Sequence, residues 1–454
     1  MSTALVILAA GKGTRMNSDL PKVLHPIAQA PMLTHAILAG ASLEPARAVI
    51  VAGHGAEDVA KAAQEAAPGA QVVLQEEQLG TAHAVGAART ALDGFSGDVV
   101  VLYGDTPFIQ PETLERMVAA RTRADVVVLG FEAADPGRYG RLVMQGNSLE
   151  RIVEYKDATE AERAITLCNS GLVAADADTL FALIDKVGNK NASGEYYLTD
   201  IVELARAGGL SVTAVTCDEA ETLGVNSRTE LAAADAIFQA RARAELLDLG
   251  VTLMAPDTVY LAFDTVIGRD TVIEPNVVFG PGVTVESGAT IRAFSHLEGC
   301  HVSRDAVVGP YARLRPGTEL AEGVKIGNFV ELKNAVLDEG AKVNHLSYVG
   351  DASVGSAANI GAGTITCNYD GVMKHRTQIG ANAFIGSNTM LVAPVSVGDN
   401  AITASGSVIT RDVEDDALAM SRAPQETKPG RARKLMDMLR AKKARKEKTD
   451  KGAG

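Results

Sequence analysis

With 454 residues, the chain is too long for one ordinary hydrophobic core, and its length predicts two or three domains. A composition with 46% hydrophobic and 22% charged residues indicates a globular protein, and no apolar run approaches the roughly 18 residues of a membrane span. A net charge of −13 disfavours nucleic-acid binding, and four scattered cysteines without a CxxC pair disfavour a disulfide framework or a zinc site and suit a reducing cytoplasm.

The first 226 residues alternate short β-type runs with helical stretches. Such alternation favours a mostly parallel, Rossmann-like α/β sheet covered by helices, with ligands at the carboxyl ends of the strands. The predicted strands include Val49–Val51, Val72–Leu74, Val99–Leu102, Val126–Leu129 and Leu172–Ala174, and the predicted helices include Ala56–Ala67 and Pro111–Arg121.

A glycine-rich turn follows the first apolar run, Ala4–Leu8. Gly11 and Gly13 let the backbone approach a bulky anion, and Arg15 and Lys22 follow closely with positive charge. The spacing is neither that of a P-loop nor that of a dinucleotide-binding turn. It resembles instead the signature of the sugar nucleotidyltransferases, Leu-x-x-Gly-x-Gly-Thr-x-Met-x4-Pro-Lys, at each fixed position from residue 8 to residue 22.

A second apolar strand ends in Tyr103-Gly104-Asp105. A magnesium site needs one or two carboxylates together with substrate phosphates, and Asp105 suits that role. The alternative is that Asp105 only caps a loop. The glycine-rich turn after the first strand favours phosphoryl or nucleotidyl transfer, in which stabilisation of charge and positioning carry the reaction.

The pattern of residues 227–249 predicts one long helix that links two domains. Ser227 and Glu230 form a capping-box pattern, apolar residues recur at helical spacing, and Gly250 follows.

After about residue 264 the hydrophobic period becomes six, which is the pattern of a parallel β-helix. We predict that the β-helix domain covers residues 250–427. By resemblance to hexapeptide-repeat proteins, the β-helix is expected to be left-handed. Thr364–Gln378 interrupts the period, and an insertion on a regular solenoid is a good place for a site. The longest regular runs are Ile267, Ile273, Phe279, Val285, Ile291 and Leu297, and Val302, Val308, Leu314, Leu320, Ile326 and Leu332.

Residues 428–454 form a basic tail with eleven Lys or Arg and three Asp or Glu, which leaves about −21 on the rest of the chain. We expect a solvated, disordered terminus, and binding of an anionic partner is the alternative.

Within the hexapeptide repeats, His345 lies beside a run of polar residues, and Gly361–Gly371 follows one coil later. Imidazole titrates near neutral pH and can take a proton from an amine nucleophile. A histidine is otherwise usually structural.

Nearly the whole chain, from Leu8 to about Gln425, resembles the bacterial bifunctional N-acetylglucosamine-1-phosphate uridylyltransferases and glucosamine-1-phosphate acetyltransferases. The stretches that carry the resemblance include Gln75–Ala82, Tyr103–Asp105, Tyr139–Arg141, Ile152–Glu154, Asn169–Gly171, Glu195–Asp200 and Gly224–Asn226, and in the second half Asn344–Asp351 and Gly361–Gly371.

In the first domain, residues 1–226, the resemblance implies a uridylyltransferase site. Arg15 and Lys22 would neutralise the triphosphate of UTP, and Asp105 with Asn226 would hold Mg²⁺. Four residues would contact the amino sugar: Tyr103, Gly140, Glu154 and Asn169. The full set implied to bind UTP and the sugar nucleotide is Leu8, Ala9, Ala10, Gly11, Lys22, Gln75, Gly80, Thr81, Tyr103, Gly104, Asp105, Gly140, Glu154, Asn169 and Asn226.

In the second domain the resemblance implies an acetyltransferase site with His345 as the base. The sugar phosphate would be bound by Arg315, Lys333, Tyr348 and Asn359, and acetyl-CoA by Ala362, Asn368, Tyr369, Ser387, Ser405 and Arg422. Arg313 and Arg315 lie two residues apart on one strand and share a face, so periodicity does not distinguish them.

The resemblance implies a cytoplasmic homotrimer that acetylates glucosamine-1-phosphate with acetyl-CoA and then forms UDP-N-acetylglucosamine from UTP for peptidoglycan and lipopolysaccharide precursors. It implies neither nucleic-acid binding nor membrane insertion. Two alternatives are a monofunctional nucleotidyltransferase with a regulatory β-helix, and a scaffold or sensor with an inactive first domain.

Overall fold

A computed structural model describes the backbone of residues 2–451 and the side chains of residues 2–445. Contacts within the chain divide it into two units. The first contains the residues up to Arg269 together with Pro275–Val283, and the second contains Asp270–Glu274 and the residues from Thr284 onward. The division therefore falls later than the boundary after residue 249 that the sequence predicts.

The first unit alternates strands and helices, as the sequence predicts. Its strands through residue 217 are β1 (Thr3–Ala9), β2 (Pro26–Ile27), β3 (Ala30–Pro31), β4 (Arg47–Ala52), β5 (Gln71–Leu74), β6 (Asp98–Tyr103), β7 (Val126–Glu132), β8 (Arg141–Gln145), β9 (Ser148–Val153), β10 (Leu167–Asp176) and β11 (Val212–Cys217). Its helices are α1 (Met32–Ala41), α2 (Ala56–Ala66), α3 (Thr81–Ala87), α4 (Pro111–Ala120), α5 (Glu160–Arg163), α6 (Ala177–Ile184), α7 (Asp200–Ala207) and α8 (Arg228–Asp248). Short 3₁₀ turns cover Thr14–Met16, Lys22–Leu24, Thr90–Leu92, Glu219–Glu221 and Pro256–Thr258.

The central sheet of this unit has the strand order β11-β7-β10-β6-β1-β4-β5, with β8 and β9 attached through β10. All neighbours along this order are parallel except β10, which runs antiparallel to β6 and β7. Every residue of β1 is buried, because helices cover both faces of the sheet. Leu8 is in register with Val51 and with Tyr103, so the carboxyl ends of β1, β4 and β6 meet at one edge.

Helix α8 begins where the sequence predicts, with the Ser227 hydroxyl accepting a hydrogen bond from the Glu230 N–H at 3.3 Å. The carboxylate of Glu230 accepts from the Asn226 N–H at 2.6 Å. Gln239, buried on the same helix, exchanges two hydrogen bonds with the backbone of Leu261 at 2.8 and 2.9 Å. These contacts explain why α8 and the residues that follow it group with the first unit.

Short strands with a spacing of 17 or 18 residues between partners make up most of the second unit. The strands that follow α8 are β12 (Thr252–Leu253), β13 (Val266–Ile267), β14 (Val272–Ile273), β15 (Val278–Phe279), β16 (Thr284–Val285), β17 (Thr290–Ile291), β18 (His296–Leu297), β19 (Cys300–Val302), β20 (Val307–Val308), β21 (Arg313–Leu314), β22 (Thr318–Leu320), β23 (Lys325–Asn328), β24 (Glu331–Leu337), β25 (Lys342–His345), β26 (Tyr348–Val354), β27 (Asn359–Ile360), β28 (Ile365–Cys367), β29 (Thr377–Ile379), β30 (Phe384–Ile385), β31 (Met390–Val392), β32 (Val395–Val397), β33 (Ile402–Thr403), β34 (Val408–Ile409) and β35 (Leu418–Ala419).

The second unit is a parallel β-helix. Strands β14, β17, β20, β23, β25, β27, β30, β33 and β35 pair in that order, all parallel. From β14 to β30, each strand of this series buries one aliphatic side chain in register with that of the next strand. Parallel strands with hexapeptide repeats are consistent with a left-handed β-helix, and the predicted α/β fold class is confirmed. The buried column consists of Ile273, Ile291, Val308, Ile326, Val343, Ile360 and Ile385.

The predicted interruption of the repeats forms a hairpin between β28 and β29, closed by an antiparallel bridge from Tyr369 to Lys374. The carboxylate of Asp370 accepts hydrogen bonds from the Val372 and Met373 N–H groups at 2.8 and 2.7 Å. His375 Nε2 lies 2.7 Å from the other oxygen of that carboxylate. The insertion is therefore an ordered structure on the surface of the β-helix.

The C-terminal segment differs from the disordered tail that we expected over residues 428–454. Helix α9 (Arg431–Lys451) covers most of it, and its described side chains are exposed. Arginine, lysine, alanine, leucine and methionine, which dominate this segment, all have high helix propensity. Residues 452–454 lie outside the described part of the chain.

Two candidate active sites

The glycine-rich turn after β1 brings Lys22 back to the edge of the central sheet. Gly13 has φ 59°, and a Cβ there would lie 2.6 Å from Lys22 Cβ, so this turn needs glycine for both its conformation and its close approach. Lys22 is largely buried in the second 3₁₀ turn. Arg15 lies exposed on the first 3₁₀ turn.

Lys22, Asp105 and Asn226 meet at the carboxyl ends of β1 and β6. The ammonium of Lys22 forms an ion pair with Asp105 Oδ2 and donates to Asn226 Oδ1 at 3.0 Å. The Asp105 carbonyl accepts from the Val225 N–H at 3.0 Å, which holds the segment that carries Asn226 against the end of β6. The structure thus unites three residues that are far apart in the chain.

A cavity of about 300 Å³ opens beside this triad. Most of the residues implied for nucleotide binding line it: Leu8, Ala10, Gly11, Lys22, Gln75, Gly80, Thr81, Tyr103 and Asp105. Ala9 instead packs into the apolar core, and the Gly104 N–H donates to the Leu8 carbonyl at 3.0 Å. Two larger cavities of the same unit, about 640 and 720 Å³, contain neither the glycine-rich turn nor Asp105.

Gln75 is nearly inaccessible to solvent, and its amide is held in place from two sides. Its Nε2 donates to the Gly80 carbonyl at 3.2 Å and lies 3.0 Å from His83 Nδ1. The hydroxyl of Thr81 accepts from the Leu198 N–H at 2.9 Å. Glu195 also lines the cavity, although the sequence analysis gave it no role. Its position within the matched stretch Glu195–Asp200 was the available signal.

The residues implied for the amino sugar gather around Tyr103, which lines the nucleotide cavity and also a smaller one of about 20 Å³ with Asn169. The Asn169 N–H donates to the Gly140 carbonyl at 2.8 Å. A Cβ at Gly140 would lie 3.4 Å from Glu154 Oε1, and Thr199 donates its hydroxyl proton to that oxygen at 3.3 Å. Burial raises the pKa of Glu154, and burial also raises the pKa of Tyr103.

No group of three or more His, Cys, Asp or Glu side chains among the described residues could hold a metal ion by itself. Asp105 and Asn226 nevertheless fit Mg²⁺, because their side-chain oxygens converge on one cationic group, the Lys22 ammonium. Magnesium accepts one or two protein ligands when phosphate oxygens and water complete its coordination.

In the second unit, His345 ends strand β25 and lies in register with Asn328 on the preceding coil. Its Nδ1 is 3.0 Å from Asn328 Oδ1, and its carbonyl accepts from the Ser347 hydroxyl at 2.8 Å and from the Gly363 N–H at 3.2 Å. The side chain is exposed at the surface of the β-helix.

A basic cluster lies on the neighbouring coils. Arg315 Nη1 donates to Glu331 Oε1 at 2.9 Å, and Arg313 Nη1 lies 4.0 Å from the same oxygen, so the structure brings both arginines to one carboxylate. The nearby Lys374 ammonium lowers the pKa of Lys333, since two adjacent positive charges disfavour each other. Sequence analysis missed Glu331 and Lys374, although Lys374 lies in the insertion that it singled out.

Tyr348 and Asn368 belong to one hydrogen-bonded network with Asp351. The amide of Asn368 donates to the Tyr348 hydroxyl at 3.4 Å and to Asp351 Oδ2 at 2.5 Å, and Asn334 donates to Asp351 Oδ1 at 2.6 Å. Burial alone would raise the pKa of Asp351, but these two donors and the nearby lysines lower it overall. Asn359 lies in β27, next to β25, which carries His345.

The residues implied for acetyl-CoA stack on successive coils. The Ala362 carbonyl accepts from the Asn388 N–H at 2.7 Å, and the Ser387 carbonyl from the Gly406 N–H at 2.8 Å. Arg422 Nη1 donates to the Ser405 carbonyl at 2.8 Å. Tyr369 is exposed on the hairpin, with its hydroxyl donating to the Gly371 carbonyl at 2.6 Å.

In the part of the chain that the structure describes, no helix has both the length and the apolar character that crossing a membrane requires.

Comparison with known proteins covers both units. Residues 5–170 match the model of the MobA-like NTP transferase domain, and residues 264–299 and 376–411 match that of the bacterial transferase hexapeptide. Proteins described as Bifunctional protein GlmU are 77% identical in Ruegeria sp. (strain TM1040) and 80% identical in Ruegeria pomeroyi, each over 99% of this chain and 100% of the relative. The one from Cereibacter sphaeroides (strain ATCC 17025) is 68% identical over 97% of each chain. With both domains and nearly the full length shared, the chain belongs to the GlmU family of bifunctional proteins.

Proposed function

We propose that the protein makes UDP-N-acetylglucosamine in two steps. It acetylates glucosamine-1-phosphate with acetyl-CoA in the β-helix and transfers uridylyl from UTP to the product in the first unit. The observation that carries the proposal is that one chain holds both clusters. The first is a lysine ammonium between two side-chain oxygens beside a cavity, and the second is an exposed histidine on a β-helix whose coils also carry Arg315 and Lys333.

In uridylyl transfer, a phosphate oxygen of the sugar-1-phosphate attacks the α-phosphorus of UTP, and the bond to pyrophosphate breaks. Gln75, Gly80 and Thr81 hold the uridine, while Tyr103 separates the nucleotide cavity from the residues that bind the sugar. Lys22 and Arg15 stabilise the negative charge that develops on the phosphates. These groups position the two reactants and form no covalent bond with them.

Asp105 and Asn226 would hold Mg²⁺ together with phosphate oxygens, and the ion would supply neutralisation of the triphosphate charge. Asp105 also keeps the ammonium of Lys22 next to those phosphates through their ion pair.

In acetyl transfer, the amine nitrogen of the sugar attacks the thioester carbonyl carbon, and the carbon–sulfur bond breaks. His345 takes the proton that the amine loses, and this proton then neutralises the departing thiolate. Arg315 and Lys333 bind the sugar phosphate, and Tyr348 and Asn359 bind the sugar. The residues that hold acetyl-CoA are Ala362, Asn368, Tyr369, Ser387, Ser405 and Arg422.

We propose that the protein is a homotrimer and acts in the cytoplasm, where UTP and acetyl-CoA are available and where its four free cysteines remain reduced. Its product would feed the synthesis of peptidoglycan and lipopolysaccharide precursors.

An assay with each substrate omitted in turn tests the proposal, with free CoA and pyrophosphate followed separately. We expect CoA release without UTP, and pyrophosphate release from N-acetylglucosamine-1-phosphate without acetyl-CoA. Removing Mg²⁺ with a chelator should stop pyrophosphate release and leave CoA release unchanged. Pyrophosphate release without any CoA release would instead indicate a monofunctional nucleotidyltransferase.

A further inference from the structure

The side chain of Asn328, on the preceding coil of the β-helix, contacts the imidazole of His345 and holds it in place. The coil places the two residues in register, 17 residues apart, and the two side chains meet at 3.0 Å between Nδ1 and Oδ1. The backbone around His345 is fixed as well, because its carbonyl accepts two hydrogen bonds and the Leu346 N–H donates to the Asn328 carbonyl at 3.1 Å. The ring therefore has one nitrogen engaged and the other, Nε2, left for a reactant.

The identity of the Asn328 atom determines which nitrogen carries the proton. A carbonyl oxygen only accepts hydrogen bonds, so its partner Nδ1 must carry a hydrogen. The neutral ring then exposes Nε2 as a lone pair, which is the form that a base needs. An amide NH₂ in the same place would favour the opposite tautomer and would repel the imidazolium that forms when His345 takes a proton.

We propose that Asn328 is a positioning residue for acetyl transfer, which holds His345 in the Nδ1–H tautomer and stabilises its protonated form. The inference rests on the proposed role of His345 as the base. The side chain of Asn328 would act through its contact with His345. Its role is comparable to that of the carboxylate that orients the histidine of a serine hydrolase, here taken by a neutral amide oxygen.

Nitrogen-15 NMR of the full chain tests the tautomer directly. Subtracting the spectrum of His345→Gln identifies the signals of His345 among those of the eight histidines. We expect the neutral ring of the parent protein to be protonated at Nδ1, and we expect Asn328→Leu to shift the population towards Nε2–H. A parent spectrum with Nε2–H dominant would overturn the proposal.

Steady-state kinetics test the consequence. Asn328→Leu keeps the branching and the number of heavy atoms of the side chain but removes the acceptor. We expect kcat for CoA release to fall roughly 10- to 100-fold, a part of the roughly 10²–10⁴-fold that a general base contributes. The KM values for acetyl-CoA and glucosamine-1-phosphate should hardly change. Asn328→Asp keeps an acceptor at the same place and should restore most of kcat, whereas a role in folding alone would not produce this rescue together with a tautomer change.

Two controls accompany these variants. Gln378→Leu removes an exposed amide from strand β29 of the same β-helix, and we expect it to leave CoA release unchanged. The thermal unfolding midpoint and the far-UV circular dichroism of each variant report whether the β-helix is folded. If Asn328→Leu matched the parent in kcat, or if Asn328→Asp were as slow as Asn328→Leu, the inference would be wrong.

His345→Gln separates this inference from the proposed function. If His345→Gln retained CoA release, the assignment of the base would fail, and the role of Asn328 would fail with it. If His345→Gln lost CoA release while Asn328→Leu did not, only the inference about Asn328 would fail.

Discussion

Lys22 contacts two residues that lie 83 and 204 positions away in the chain. Lys22 and Asp105 are largely removed from solvent, so their charges interact through a medium that screens them less than water does. Removing Asp105 would leave the ammonium of Lys22 without its counter-ion. We therefore expect the first activity to depend strongly on Asp105.

Asp105→Asn keeps the volume of the side chain and removes its charge. We expect pyrophosphate release to fall by roughly 10²–10³, the usual cost of losing one preorganised electrostatic group. CoA release should stay at the parent level, because His345 and the basic cluster belong to the other unit. The two products would be measured in the same preparation.

Asp185→Asn serves as the matched control, since Asp185 forms an exposed ion pair with Arg89 and has no part in the proposed chemistry. Equal loss of both activities in a folded Asp105→Asn protein would contradict independent sites.

The raised pKa of Glu154 leads us to expect that the stability of the protein depends on pH. Burial raises its pKa above the ordinary value of about 4.5, so the folded protein binds this proton more tightly than the unfolded chain. Glu154 therefore makes its full contribution to the free energy of unfolding at pH values below its pKa in the unfolded chain. This contribution is lost as the pH rises through its higher pKa in the folded protein. We therefore expect Glu154→Gln to raise the thermal midpoint at neutral pH but not at pH values below about 4.

Measurement of thermal unfolding at several pH values checks this expectation, with Glu115→Gln, an exposed glutamate on α4, as the control. An equal midpoint for Glu154→Gln and the parent at neutral pH would mean that the carboxylate is not destabilised by burial. The same variant should raise the KM for N-acetylglucosamine-1-phosphate if Glu154 contacts the sugar.

The strands of the β-helix are too short to be stable alone, since many contain only two residues. Their stability comes from aliphatic side chains that stack in register across the coils. Leu314, Leu332 and Val349 form one such stack, and all three are fully buried. The same coils carry Arg315 and Lys333, so packing inside the coil fixes the spacing of the charges outside it.

Leu332→Ala should create a cavity in this stack. We expect the free energy of unfolding of the β-helix to decrease by about 2–5 kcal/mol, from the lost burial and the cavity together. Leu418→Ala, which truncates an exposed leucine of β35, should change it by less than about 0.5 kcal/mol. Urea titrations followed by circular dichroism compare the two, and similar midpoints would contradict the stacking argument.

For the whole molecule, the structure predicts where the chain can be cut. Helix α8 contributes to the first unit, because Asp235 accepts from the Ala28 N–H at 2.8 Å and Arg228 donates to the Met16 carbonyl at 3.2 Å. Further along, Gln29 donates to the Phe279 carbonyl at 2.9 Å. A functional first unit therefore needs residues well beyond Asn226.

We expect a chain of residues 1–283 to release pyrophosphate at close to the parent rate, and a chain of residues 1–227 to unfold at a lower temperature and react more slowly. Neither should release CoA. Thermal unfolding and pyrophosphate assays of the two chains decide the question. If residues 1–227 were as stable and active as residues 1–283, the contacts of α8 would not support the first site.

Local patterns in the sequence were enough to predict the architecture. The hexapeptide period predicts the β-helix because each short strand repeats the same inward position, and the run Ala4–Leu8 followed by glycines predicts a strand that enters a tight turn. The roles of Glu154 and Asn169 came from the resemblance, since nothing in the local sequence distinguishes either from an ordinary polar residue. The place of α8 within the first unit could not be predicted, because it depends on contacts such as that between Gln239 and Leu261.

The sequence by itself determined the two-part fold and the glycine-rich turn with Lys22, because these follow from periodicity and from a short motif. His345 became the candidate base through the resemblance. Only the tertiary structure decided which side chains meet. Glu331 joins Arg313 and Arg315, Lys374 comes to lie beside Lys333, and Asn328 engages His345. The physical reason is that these contacts form between neighbouring coils or across an insertion. Which side chains meet there depends on the number of residues in each coil of the β-helix.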